Sequence, residues 1–133
     1  MKYSNNIVAV FFLPLALAAC TPDESLTAFV PPGSTWTLIE MNGEPVRFDT
    51  TLTFPEPGRI EGQAVCNRYS AAQTAPYPWF DAEDFVATKM ACDGLADEQA
   101  YFDTLASIAF SEVSGPSLAL SGESGEELIF ALQ

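Results

Sequence analysis

Residues 51–64 read TLTFPEPGRIEGQA, and this stretch decides the fold class. Leu52 and Phe54 alternate with Thr51 and Thr53. Pro55-Glu56-Pro57-Gly58 is a turn signal, because proline presets φ and glycine tolerates a positive one. Ile60, Gly62 and Ala64 then alternate with Arg59, Glu61 and Gln63. Successive side chains of a strand point to opposite faces. Two period-two runs joined by a turn therefore make a hairpin with one polar face.

Outward from this hairpin the same period recurs. Upstream, Trp36 and Leu38 alternate with Thr37 and Ile39, and Asn42-Gly43 marks a tight turn. Downstream, residues 67–74 and 84–90 are further strand candidates. Pro76-Tyr77-Pro78-Trp79 separates them and must be loop or edge, since proline donates nothing to a ladder. The period changes once. Tyr101, Phe102, Leu105, Ile108 and Ala109 fall at helical spacing, which predicts one amphipathic helix over about 96–109 with Asp97 and Glu98 at its N-terminus. Period two returns in residues 117–121, a turn follows at 122–125, and Leu128, Phe130 and Leu132 close the chain. The expected class is α+β, a curved, half-barrel-like antiparallel sheet packed around one amphipathic helix.

The start of the chain reads as an address. Lys2 precedes an apolar run over residues 7–17, too short to cross a bilayer but suited to a secretory signal. The run ends in Leu17-Ala18-Ala19-Cys20, which looks like a bacterial lipobox with Cys20 as the lipidated residue. The alternative is an ordinary signal cut after Ala16-Leu17-Ala18. The expected organisation is a signal peptide over 1–19, a lipidated cysteine and flexible tether over 20–33, and one domain over 34–133. Two or more acyl chains hold a protein durably to a bilayer. Thr21 follows the cysteine where an aspartate would suggest inner-membrane retention, and resemblance to other lipoproteins then implies the periplasmic face of the outer membrane.

With Cys20 lipidated, Cys66 and Cys92 remain of the three cysteines. In an oxidising periplasm such a pair forms a disulfide, worth about 3.5 kcal/mol in the chain-entropy model. The alternative is two buried free thiols. Without Lys2 the chain carries four basic and eighteen acidic side chains, a net charge of -14. That field repels nucleic acid, so no nucleic-acid partner is expected. It repels anionic membrane surfaces too, which leaves anchoring to the lipid on Cys20.

Catalytic material is scarce. The chain has no histidine, which removes the commonest general base and neutral metal ligand. Two cysteines make no zinc site, and no cofactor is expected. Carboxylates such as Asp81 with Asp84, or Glu83 with Asp93, leave hydrolysis of a sugar as a minor reading. Calcium at residues 81–84 is another, although the spacing is not that of an EF-hand.

Two short segments stand out, Cys66-Asn67-Arg68-Tyr69-Ser70 and Thr88-Lys89-Met90-Ala91-Cys92. Together with residues 36–43 and Leu52-Thr53-Phe54 they resemble the META domain, the family of HslJ-like heat-inducible bacterial lipoproteins. The likeness runs from about residue 34 to 133, and Glu98 and Tyr101-Phe102 fall where that family starts its helix. Val65 and Ala71 stand where the family often has glycine. The resemblance implies a curved sheet wrapped around a helix, a role in envelope stress and tolerance of toxic compounds, and no established enzymatic activity. It also implies similarity in shape to a lipid-binding pilot lipoprotein.

The motif residues also read individually. Asn67 is expected to tie a bulge, Arg68 to pair with a carboxylate, and Tyr69 and Met90 to be core, with a binding role for Arg68 or Lys89 as the sharper alternative. Trp79, in the loop over 76–80, is the candidate for exposed aromatic contact, with packing over the sheet edge as the alternative. The partner would be an envelope protein or an apolar ligand.

Overall fold

The computed structural model describes Pro14 and residues 16–133. The apolar run expected as a signal lies mostly outside these residues. Among the described residues no helix is long and apolar enough to cross a membrane.

The strands are β1 (Thr35–Met41), β2 (Glu44–Pro45), β3 (Thr51–Glu56), β4 (Gly58–Gln63), β5 (Arg68–Gln73), β6 (Glu83–Ala87), β7 (Ile108–Ser114), β8 (Ser117–Gly122) and β9 (Glu127–Leu132). The helix α1 covers Leu95–Ala106. All named pairings are antiparallel, in the order β6-β5-β4-β3-β1-β9-β8-β7, with β2 beside β1. The α+β expectation holds: a half-barrel sheet curls around one helix.

Period two sets the core. Trp36, Leu38, Leu52, Phe54, Ile60, Tyr69, Leu118, Leu120, Leu128 and Phe130 are buried, and from the helix Tyr101 and Leu105 meet them. The Asn42-Gly43 turn has positive φ at both residues, 51° and 83°, which suits the right-handed twist of a two-residue hairpin. Gly58, at φ 83°, turns β3 into β4.

Three expectations need correction. The helix ends at Ala106, and Ile108 begins β7 rather than completing the helical stripe. A register slip between Ile108 and Phe110 then breaks strict alternation, so Ile108 and Ser111 are both buried. Strand β6 stops at Ala87, short of Met90. In the segment read as a tether, Leu26–Phe29 form a 3-10 turn, and Leu26 and Val30 are buried in the core. The folded body therefore starts before residue 34.

The loop over 76–80 seals the open side of the half-barrel. Phe80 donates its amide to Ala109 O and Ser111 donates to Pro78 O, which stitches the loop to β7. Phe80 is buried, and Tyr77 stacks on Phe29 with ring centroids 4.1 Å apart. Of the two readings of this loop, packing over the sheet edge is the one observed. Trp79 is 54% exposed and leans on Phe110.

Candidate functional site

The two motif segments meet. Tyr69 of β5 pairs with Ala87 of β6, and Thr88 donates its amide to Arg68 O. Beyond that pairing Cys66 and Cys92 are joined by a disulfide, with Cα atoms 5.9 Å apart.

Asn67 sits between the segments, fully buried, with every polar atom used. Its Nδ2 donates to Met90 O (3.1 Å) and to Glu98 Oε1 (2.6 Å). Its Oδ1 accepts from the Thr88 hydroxyl (2.9 Å) and the Met90 amide (2.6 Å). Its own amide donates to Glu98 Oε2 (2.8 Å), and its carbonyl accepts from Ala64. An asparagine fits here because its amide group alone offers two donors and two acceptors in one plane. The expectation of a local bulge tie was too modest, since Asn67 joins β5, the 88–90 segment and the helix.

Glu98 is the helix's contribution. It is 4% exposed, and its Oε2 also accepts the Cys66 amide at 2.7 Å. Burial pushes its carboxyl up, but the bonds from the Asn67 side chain and from the Cys66 and Asn67 amides outweigh that, and the net shift is downward. The carboxylate is thus held charged while buried, as hydrogen bonding to an anion does. The sequence suggested a helix-dipole role for this residue, and its position thirty-one residues from Asn67 hid the contact.

Tyr69 is buried, as expected. It donates its hydroxyl to Thr51 O (2.8 Å) and lies 2.6 Å from the Tyr101 hydroxyl. Burial holds both phenols above their ordinary range. Gly62, opposite Tyr69, makes room for this ring, because a Cβ there would collide with Thr51 O and the Tyr69 hydroxyl.

Two motif residues lie elsewhere than expected. Met90 is 61% exposed, because its backbone is committed to Asn67 while its side chain faces out. Arg68 is exposed and in no ion pair, and the one ion pair among the described residues is Arg59–Glu61. Lys89 is exposed as well.

Above this framework runs a groove of about 480 Å3 between β6 and α1. Phe85, Met90, Leu95 and Phe102 supply its apolar surface, with Lys89 at the rim. Phe85 and Phe102 meet edge to face with centroids 4.7 Å apart. Trp79 does not line this groove. Asp81, Glu83, Asp84 and Asp93 are exposed, and no group of three or more potential metal ligands gathers among the described residues.

The family model described as META domain matches residues 25–133, which takes in the buried Leu26 and Val30. No curated protein matches the chain in sequence. Two solved structures are similar. One, titled as the NMR structure of a protein from Burkholderia xenovorans, has a TM-score of 0.61 at 18% identity, covering 100% of this chain and 99% of that one. The other, also an NMR structure, has a TM-score of 0.59 at 21% identity, covering 74% of this chain and 87% of that one. At such identities they speak for the fold alone.

Proposed function

We propose a function from one premise: the chain belongs to the META domain family. The reading is a non-catalytic protein of the bacterial envelope, anchored by acyl chains on Cys20 at the periplasmic face of the outer membrane. It acts in stress or toxic-compound tolerance by binding an envelope protein or an apolar ligand at the groove between β6 and α1. The observation that carries this is the set of apolar side chains left in water there. Phe85, Met90 and Leu95 are all exposed around Lys89, over a frame fixed by the disulfide and the Asn67–Glu98 bonds. Exposed apolar surface gathered in one place favours a contact that covers it.

A second reading, a chaperone enclosing an acyl chain between helix and sheet, has less support. That space is filled by Trp36, Tyr101, Leu105 and Phe130, all 0% exposed. The hydrolase reading has less still. Among the described residues Glu98 is the one buried carboxylate, and both its oxygens are occupied by N–H donors.

Titration of a soluble Cys20→Ser protein with a fluorescent dodecyl carboxylate tests the groove. Saturable binding is expected, weakened about tenfold by Met90→Asp or Leu95→Asp. Binding that ignores both substitutions would remove the groove from the reading. Palmitate labelling and fractionation test the anchor. Cys20→Ala is expected to release the protein into the periplasm, and a variant that stays membrane-bound would overturn the lipid anchor.

A further inference from the structure

Among the described residues the sheet ends at β6, with no strand paired to its outer side. β6 pairs with β5 alone, and all its residues are exposed or half-exposed. The amide of Thr88 points to Arg68 O, so alternation turns the amides and carbonyls of Phe85 and Ala87 away from β5. No described strand takes them up. Sheets ordinarily blunt such an edge with charge, proline or bulges. A bulge is present at Asp84, at φ 50°, where the register slips between Ser70 and Ala72. It leaves Phe85, Val86 and Ala87 as the straight part of the edge, and Thr88 just beyond still donates to Arg68 O. That part is apolar on both faces, with Val86 64% exposed and Phe85 40% exposed.

The two ends of this edge carry opposite charge. It reads Glu83-Asp84-Phe85-Val86-Ala87-Thr88-Lys89, acidic, then apolar, then basic. Lys89 is in no ion pair among the described residues, on a chain with eighteen acidic side chains. An antiparallel strand complementary to this edge must be basic opposite Glu83 and acidic opposite Lys89. Read from its own N-terminus, such a strand runs acidic, apolar, basic. That is the pattern of the edge itself.

We propose that two copies of this chain pair edge to edge through β6, antiparallel about a two-fold axis at Val86, joining two curved sheets into one. On this register Val86 faces Val86 of the second copy. Phe85 exchanges backbone hydrogen bonds with Ala87, and Lys89 comes beside Glu83, each twice by symmetry. A ladder this short buries little surface, so the pairing is weak in dilute solution. Confinement of two copies to one membrane plane raises their effective concentration. The pairing needs no ligand and goes beyond the binding role above.

Sedimentation equilibrium of the soluble Cys20→Ser protein, up to millimolar concentration, measures the association. Val86→Cys in the same background reads the register, because the axis brings that position against its own copy, with Cα atoms about 4.5 Å apart. A concentration-dependent dimer is expected, with Val86→Cys crosslinking under mild oxidation well ahead of a Ser124→Cys control. Lys89→Glu should weaken the dimer about tenfold, and adding Glu83→Lys should restore it. A protein monomeric throughout, a dimer in which Val86→Cys does not crosslink, or one indifferent to Lys89→Glu would overturn the proposal. Thermal melts of each variant confirm that it is folded. Loss of dodecyl carboxylate binding alone would leave the pairing standing.

Discussion

Asn67 donates its side-chain amide to Glu98 over 2.6 Å, from the start of β5 to the first turns of the helix thirty-one residues later. This bond, with the two backbone amides that Glu98 accepts, holds helix and sheet in one orientation. It lies directly under the groove.

Removing the acceptor should therefore be costly. Glu98→Ala leaves two buried amides and one side-chain N–H without a partner, and about 3–5 kcal/mol of unfolding free energy should be lost in urea titration. Asn67→Ala should cost about 2–4 kcal/mol. The two should couple by at least about 1 kcal/mol in a double-mutant cycle, and simple additivity would sink the network account.

The same carboxylate sets an acid limb. Its folded value lies below the ordinary glutamate range, because the N–H bonds outweigh burial. A group depressed in the folded state contributes stability that is fully present above its unfolded value, about 4.3. That contribution is lost as pH falls through the lower, folded value. Stability measured from pH 6 downward should thus decline below about pH 4.3, and Glu98→Gln should flatten the decline. An unchanged acid limb in Glu98→Gln would show that other carboxyls govern it.

The disulfide closes a loop between residues 26 positions apart. Replacing both Cys66 and Cys92 by serine should lower stability by about 3–4 kcal/mol. Thiol titration of the unreduced Cys20→Ser protein should find no free thiol. Two would refute the bridge.

Gly62 faces Tyr69 across β4 and β5. Gly62→Ala forces its methyl group into Thr51 O and the Tyr69 hydroxyl, so it should cost about 2–4 kcal/mol, read as a lower Tm. A melting point within a degree of the parent would mean that β3 and β5 yield more easily than their hydrogen bonds suggest.

Where one residue type sets local geometry, the sequence could be read. Asn42-Gly43 and Pro57-Gly58 mark observed turns, and alternation in β3, β4, β8 and β9 marks the buried faces. The helix was visible, but its end was not. No glycine or proline lies between Leu105 and Phe110, so Ile108 and Ala109 continued an apolar pattern that the backbone abandons at Ser107. The site was half legible. The two motif segments marked the right strands, and the cysteine count suggested their bridge. Glu98 is legible as an acid of the first helical turn, but its burial is not, because the groups that bury it are distant in sequence. Met90 was misread, since an apolar side chain can stay outside when its backbone is what the fold uses.

β9 is the last described strand, yet it is inserted between β1 and β8, and the Gln133 amide donates to Thr35 O. During synthesis β1 and β8 can form no continuous surface until residues 127–132 emerge. Residues 35–87 and 108–122 therefore share no strand ladder until β9 is inserted, so joining them is a late, long-range step of folding.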